Sequence, residues 1–440
     1  MEKQKKIFLF TLILHWVFLW GSINTLPHEY GFTYMISRID FFENFFESLW
    51  MLRTMLPLIF SIIITTILLF NIKKIIKISK FHIIFFLIFT FQMIGLYLNK
   101  DQFFCHTEVN GCYLRYLFLP LQGIGTVMLF ILCDYIKISN IFKYFFWIMI
   151  TLLVSILIII IVPKIPDLFY MNFGAAFSEI DKNIFNLANP RTTGISRTLA
   201  IINLFLILFF FHTNKLNFKN LLIIPILIFS IILLFIQSRG SLLCYFISLI
   251  IFIFFLNNTN LKYKIRCLFI LIILPILIFF STFNLINKSV EKNQNLNNRV
   301  FEAHTSGRIE LWTYSIKKND YKKIFGYGSQ GDRFFLKNFE KSKIYGNNVS
   351  NIFLYTLLSG GVISVFILLF FYYEIFNFFL KNRKEIFFKS NSLYFNFSII
   401  CIIFLLIRSN FENSFGLFSL DFLIMYLSLM YAIRFVKISK

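Results

Sequence analysis

Uninterrupted runs of roughly 20 apolar residues recur along almost the whole chain, and no other feature limits its fold so strongly. Within a bilayer core, water is absent and every backbone N–H and C=O must be satisfied inside the protein, which leaves helices or a closed barrel. The runs are continuous Ile, Leu and Phe, without the alternation of a barrel strand, so helices are expected. Only 15% of the 440 residues are charged, against about 25% in an ordinary soluble domain. The sequence therefore predicts an all-α, polytopic membrane bundle. About twelve spans fit, near 7–26, 54–72, 81–98, 113–133, 144–162, 198–212, 219–237, 241–257, 265–286, 349–373, 392–408 and 415–433. The first run follows a basic Met1–Lys6 but lacks a small-residue cleavage site, so it reads as a transmembrane helix rather than a signal peptide.

The distribution of Lys and Arg orients this bundle. With the N-terminus in the cytoplasm, the cytoplasmic loops collect Lys73, Lys74, Lys77, Lys80, Lys137, Lys143, Lys215, Lys219, Lys262, Lys264, Arg266, Lys381, Arg383, Lys384 and Lys389. The basic tail around Arg434 and Lys437 also falls inside. The short outer loops near 27–49 and 99–112 carry Glu43, Glu47, Asp101 and Glu108 instead. The net charge of +22 is thus mostly a topogenic signal and does not point to nucleic acid. Two outer segments are basic, Pro163–Arg197 and the long loop 287–348. Long loops are translocated largely regardless of charge, and these two put cations where an anionic lipid or a diphosphate would sit. The chain divides into residues 1–197, the N-terminal helices, and 198–440, a membrane unit containing the large, partly helical outer loop.

Within that loop Ser306 is a candidate N-cap for a helix over 307–318, with Ile309, Trp312 and Ile316 on one face as in a helix lying on a membrane. Phe325-Gly326-Tyr327-Gly328 reads as a tight turn. Cys105 and Cys112 share one outer loop, either as a disulfide in an oxidising compartment or as two reduced cysteines at headgroup level, whereas Cys133, Cys244, Cys267 and Cys401 lie in apolar spans. No Cys/His spacing suggests a metal site, and no cofactor motif is present.

Charged groups at the hydrocarbon boundary are costly, which makes them candidates for function. Arg197, Arg239 and Arg408 each precede a span running from outside to inside, as does Ser350-Asn351. Several arginines beside several outward-facing helix N-termini would bind a phosphate or diphosphate, because guanidinium stays charged and grips oxygens bidentately. Arg53 and Arg115 are further boundary arginines, and Glu412 and Asp421 are candidate salt-bridge partners of Arg408. His304, the one histidine of the long loop, is a candidate general base, with Glu302, Glu310, Asp332 and Glu412 as alternatives. Asn347, Asn348, Ser350 and Asn351 are placed to meet sugar hydroxyls or headgroups.

Four motifs occur in a telling order. They are Ser238-Arg239-Gly240-Ser241 between two spans, Ser306-Gly307-Arg308 with Leu311-Trp312, Gly326-Tyr327-Gly328 leading to Ser350-Asn351-Ile352-Phe353-Leu354 and Gly360-Gly361, and Arg408-Ser409-Asn410-Phe411-Glu412 followed by Asp421. In this order they resemble the O-antigen ligase and polymerase superfamily over roughly residues 190–425. The resemblance implies a lipid-dependent glycosyltransferase of the bacterial inner membrane, with both termini cytoplasmic. Its substrate would be an oligosaccharide on undecaprenyl diphosphate at the periplasmic face, and its acceptor a growing glycan or the lipid A core. No cofactor is implied; arginines would take the place of a metal at the departing diphosphate. The motif positions assign Arg239, Arg308 and Arg408 to catalysis, and Arg191 and Arg197 match more loosely as substrate-binding residues; His304 and Glu412 join the catalytic candidates as bases, and Ser350 and Asn351 the substrate-binding ones, from their places in the chain. Ligase members typically carry a histidine where this chain has Ser350, which tilts the expectation towards a polymerase. The competing readings are an O-antigen ligase, a transporter or flippase for lipid-linked sugars, and a non-catalytic assembly subunit. The absence of an evident internal repeat and the gathering of charge at one face weigh against a transporter.

Overall fold

The computed structural model describes residues 58–66, 78–100, 111–136, 143–144, 146–151, 154, 192–213, 215–236, 238–256, 261–278, 280–281, 308–319, 323–336, 339, 348–386, 392–417 and 419–439. Among them there is no strand. The helices are α1 (Lys80–Leu98), α2 (Gly111–Ile136), α3 (Thr192–His212), α4 (Leu216–Phe235), α5 (Arg239–Ile251), α6 (Leu261–Leu268), α7 (Arg308–Lys318), α8 (Gly331–Leu336), α9 (Ile352–Lys381), α10 (Leu393–Arg408) and α11 (Leu420–Ser439). Short π-helical stretches, Phe252–Leu256 and Phe269–Ile273, extend α5 and α6. Three helices, within α1, α3 and α9, are long and apolar enough to cross a membrane, and four shorter apolar helices accompany them. These seven fall on expected spans, with edges that differ by as much as eight residues, as where α9 runs on to Lys381. The expected spans at 7–26 and most of 54–72 and 144–162 lie outside the described residues, as do Arg53, Cys105, Arg191 and His304 and the side chains of Cys112 and Arg115.

Lipid tails are as apolar as leucine, so helix association here rests on close packing and on polar contacts between helices. Both are present. Phe85 of α1 packs against Phe371 of α9 and Phe422 and Tyr426 of α11, with ring centroids 4.9–5.1 Å apart. Edge-on and tilted geometries dominate, which suits the ring quadrupoles. Asn203 of α3 donates to Ser230 of α4 at 2.8 Å and to Tyr245 of α5 at 2.9 Å, tying three helices in the apolar interior. His82 of α1 meets the Tyr426 hydroxyl of α11 in the same way.

One helix is broken. Gly361 interrupts α9 with φ 70° and ψ −169°. The break leaves the carbonyls of Leu358 and Ser359 without their helical donors. Loop residues supply them: Tyr327 N–H donates to Leu358 O at 2.7 Å and Gly328 N–H to Ser359 O at 2.9 Å. The fit has no room for a side chain, since a Cβ on Gly361 would lie 1.9 Å from Ile324 O. On the other side of the wedge, Asn99 at the end of α1 donates to Gly326 O at 3.0 Å and accepts from Lys323 Nζ at 2.9 Å. The Phe325–Gly328 turn is thus a plug between α1 and the break in α9, a larger role than a bend.

The helix ends sort by charge. Ile352 N–H at the start of α9 donates to Ser409 O past the end of α10 at 3.0 Å. Arg197 near the start of α3 meets Asp421 at the start of α11, and Gly240 at the start of α5 faces Phe411. These contacts put the 408–421 turn, the 348–352 segment and the N-terminal ends of α3 and α5 at one end of the bundle. At the other end Lys80 pairs with Glu374 at 2.9 Å, and Lys143 lies over the Tyr394 ring. The expected division of helix ends between two faces therefore has a counterpart in the packing.

Candidate functional site

The turn that joins α10 to α11, residues 409–419, is the hub of the charged end. Asp421, in the first turn of α11, is 2% exposed and is gripped by two arginines. Arg197 Nη1 donates to its Oδ1 at 2.9 Å, and Arg408 Nη1 donates to its Oδ2. Both arginines are buried, at 5% and 3% exposure. Arg408 also reaches Ser414 Oγ at 3.4 Å. One carboxylate thus answers two guanidiniums, and the cluster retains a positive charge in a poorly solvated place. The hydrogen-bonding capacity is also unspent: Arg197 Nε and Nη2 and Arg408 Nε are buried with no protein partner.

Two placements differ from the sequence expectation. Arg197 lies inside α3, more than a turn beyond its start at Thr192, because the helix begins earlier than the apolar run. Arg408 occupies the last turn of α10, so it faces the C-terminal end of a helix dipole, which favours a cation. Neither guanidinium stands just before a helix N-terminus. What brings them together is Asp421, which the sequence offered as a salt-bridge partner of Arg408 and which also takes Arg197.

Around this buried core stand the more accessible groups. Arg308, the first residue of α7, meets Glu412 of the turn at 3.5 Å, both partly exposed. An arginine at a helix start opposes the dipole, and Glu412 is the acidic partner that offsets it. Arg239 begins α5 and is exposed, and its neighbour Gly240 lies against Phe411. Asn351 caps α9, its Oδ1 accepting from Phe353 N–H at 3.0 Å and Leu354 N–H at 3.1 Å. Its Nδ2 donates to Asn410 O at 3.1 Å, so the cap also clamps the turn. Ser350 sits in the left-handed region at φ 47°, with its N–H donating to Asn348 Oδ1 at 2.7 Å. A serine at positive φ is strained, and such strain persists only where neighbours enforce it.

The long loop supplies the wall above. In α7, Leu311 and Ser315 are buried, whereas Ile309 and Ile316 are 54% and 49% exposed. The expected apolar face is therefore present, with one change. Trp312 turns partly inward, its Nε1–H donating to Val349 O at 2.6 Å. Asp332 of α8 accepts from Val349 N–H at 3.4 Å and is itself buried. Burial pushes its carboxyl up to about 6, against the opposing pull of Arg333 and the Val349 amide. Among the described residues, no three His, Cys, Asp or Glu side chains come together in a way that would hold a metal ion.

Residues 224–369 match the family model for O-antigen ligase. The match covers about a third of the chain and supports a relation to the O-antigen ligase-related superfamily. The matched segment runs from α4 through most of α9 and contains Arg239, Arg308, Ser350 and Asn351; Arg197, Arg408, Glu412 and Asp421 lie outside it. No curated protein and no solved structure matches the chain. The match and the apolar helices together support a membrane protein of the general O-antigen ligase and polymerase type. The site thus gathers Arg197, Arg239, Arg308, Arg408, Glu412 and Asn351 about one turn, with Ser350 beside it.

Proposed function

We propose that this protein transfers a glycan from undecaprenyl diphosphate to an acceptor hydroxyl at the periplasmic face, and that it extends a polymer rather than loading the lipid A core. The observation that carries this reading is the arginine excess at the 408–421 turn. Three guanidiniums, Arg197, Arg308 and Arg408, pair with two carboxylates, Asp421 and Glu412, and Arg239 opens α5, whose Gly240 lies against Phe411 of the same turn. A site with surplus cations and unspent guanidinium donors suits a polyanion of phosphate oxygens.

The chemistry follows from that charge. An acceptor hydroxyl attacks the anomeric carbon, and the bond from that carbon to the diphosphate oxygen breaks. Negative charge builds on the departing diphosphate. Arginines held in place by Asp421 and Glu412 meet that charge without reorganising, which is where electrostatic catalysis gains most. Ser350 and Asn351, at the mouth of α9, lie beside the turn where the sugar would be held. Arg239 is the exposed member, suited to capture of the lipid diphosphate as it enters from the membrane surface.

A transporter remains the second reading, since a helix broken in mid-span is a transporter feature. The break in α9 is filled by Tyr327 and Gly328, whose amides occupy the freed carbonyls. Lys323 at that plug is held by Asn99 and lies over the Tyr327 ring, whereas the arginines with unspent donors gather at the 408–421 turn, which favours a transferase.

Arg239→Ala and Arg408→Ala are expected to abolish glycan extension while the proteins still insert, read by surface-glycan gels and membrane fractionation. Normal glycan ladders in both variants would sink the site. In a strain lacking the protein, single repeat units attached to lipid A core identify a polymerase. Glycan stranded on the lipid carrier identifies a ligase.

A further inference from the structure

We propose that Asp332 is the general base of the transfer, taking the proton of the acceptor hydroxyl on its Oδ1 atom. The inference rests on the glycan-transfer reading above and adds the residue that reading leaves open.

The geometry separates the two carboxylate oxygens of Asp332. Oδ2 accepts from Val349 N–H at 3.4 Å and so is tethered to the segment that carries Ser350 and Asn351. Oδ1 is buried and has no protein partner. A buried carboxylate oxygen without a donor is costly, and native structures satisfy such atoms by a bound water or a ligand. A carboxylate only accepts, so what completes it must bring an O–H or N–H. A sugar hydroxyl is such a group, and a water relaying to one is another.

The surroundings fix the segment that Asp332 holds. Val349 is fixed from both sides, by Asp332 at its N–H and by Trp312 of α7 at its carbonyl, 2.6 Å away. That clasp sets Ser350 at its left-handed φ and leads into Asn351, which is bonded to Asn410 of the arginine-bearing turn. The carboxylate is thus linked through one short segment to the place where the leaving diphosphate would be neutralised. Beside it, Tyr355 of α9 receives Gln330 N–H at 3.2 Å, and Gln330 Oε1 is likewise buried without a partner. A second acceptor-only atom in the same loop fits a ligand rich in hydroxyl donors.

Other carboxylates of the site are committed elsewhere. Asp421 is held by Arg197 and Arg408, and Glu412 by Arg308. The charged and titratable groups acting on Asp332 are Arg333 on its own helix and Tyr355 from α9. From α7, Trp312 reaches Val349, and Tyr314 packs on Phe335 and Phe339. Burial dominates these influences and makes the group more basic than an exposed aspartate.

The step balances. The acceptor O–H proton moves to Asp332 Oδ1, the oxygen lone pair forms the new bond to the anomeric carbon, and the bonding pair of the old C–O bond leaves with the diphosphate. The proton later returns to water.

The test uses full-length protein purified in detergent. Its substrate is the undecaprenyl-diphosphate-linked repeat unit extracted from cells lacking the protein. Asp332→Asn keeps an oxygen for Val349 N–H and removes the base. It is expected to lower kcat by ~10²–10⁴-fold with KM little changed. Asp332→Glu is expected to recover part of that loss. The wild-type kcat should fall tenfold per pH unit below about 6. Asp332→Asn should keep its melting temperature at neutral pH or raise it, which separates lost chemistry from lost folding. Retention of more than about a third of wild-type kcat by Asp332→Asn would overturn the proposal and leave Asp332 as an anchor of Val349, as would a wild-type profile flat from pH 5 to 8. If Arg239→Ala and Arg408→Ala also transfer normally, the glycan-transfer site itself fails; if they are inactive and Asp332→Asn is active, only the base assignment fails.

Discussion

Replacing Asp421 should destabilise the protein more than replacing any exposed charge in it. The carboxylate is 2% exposed and is the shared partner of Arg197 and Arg408, themselves 5% and 3% exposed. Asp421→Asn removes its charge at nearly constant volume and leaves two buried guanidiniums facing each other, with the Ser414 hydroxyl left as a partner of Arg408. Breaking a buried ion pair by removing one partner costs about 3–5 kcal/mol, because the surviving charge is left uncompensated. Unfolding entropy of about 2.1 cal/mol/K per residue, taken over 440 residues, is roughly 0.9 kcal/mol/K, so the expected fall in melting temperature is about 3–5 °C. The assay is thermal unfolding of detergent-purified protein followed by tryptophan fluorescence. Arg197→Gln added to Asp421→Asn removes one of the two stranded charges and should recover part of the loss, a coupling measurable by a double-mutant cycle. An Asp421→Asn protein that melts within about 1 °C of wild type would refute the claim that this carboxylate holds the arginines.

Three further outcomes follow from other contacts. Gly361→Ala puts a Cβ 1.9 Å from Ile324 O at φ 70° and is expected to expel the Phe325–Gly328 wedge, costing upwards of about 3 kcal/mol and lowering the yield of folded protein; unchanged yield and melting would count against the wedge. The folded Asp332 carboxyl is raised from an ordinary 3.8 to about 6, so the folded state binds its proton more tightly than the unfolded. The stability it contributes is complete below pH 3.8 and is lost as pH rises through about 6, a difference of roughly 3 kcal/mol. Asp332→Asn should therefore flatten melting temperature against pH over that window, and a variant with the wild-type slope would contradict the burial argument. Lys318→Cys, on the exposed side of α7, should react in intact spheroplasts with a membrane-impermeant thiol reagent; protection until lysis would invert the topology.

The fold class was legible because a single requirement, internal satisfaction of the backbone in lipid, leaves apolar runs of this length few options. Span edges were off where polar residues continue a helix, as at Thr192–Arg197, since hydropathy reads the membrane and not the hydrogen-bond ladder. Arg239, Arg308, Arg408 and Glu412 stood out by boundary position and motif, and the structure gathers them at one turn. Their arrangement was not legible. The Arg408–Asp421 pair was among the expected salt bridges, but the arrival of Arg197 at the same carboxylate brings in α3 from 224 residues away, which no local pattern encodes. The Gly326–Gly361 contact has the same character: Gly360-Gly361 in an apolar run marks a weak point in a helix, but only the packing reveals what fills it. Asp332 was one of four alternative bases to His304 in the sequence, and its burial beside Val349 is what distinguishes it from the others.

The central claim is that the arginine-bearing turn stabilises a departing lipid diphosphate during glycan transfer. The most direct measurement is release of undecaprenyl diphosphate from its glycan-linked form by purified protein in the presence of acceptor glycan, compared among wild type, Arg239→Ala and Arg408→Ala. Wild-type protein should release the carrier and lengthen the acceptor together, and both variants, still folded by melting temperature, should do neither. Equal release by all three proteins, or acceptor lengthening that leaves no free lipid diphosphate, would contradict the account.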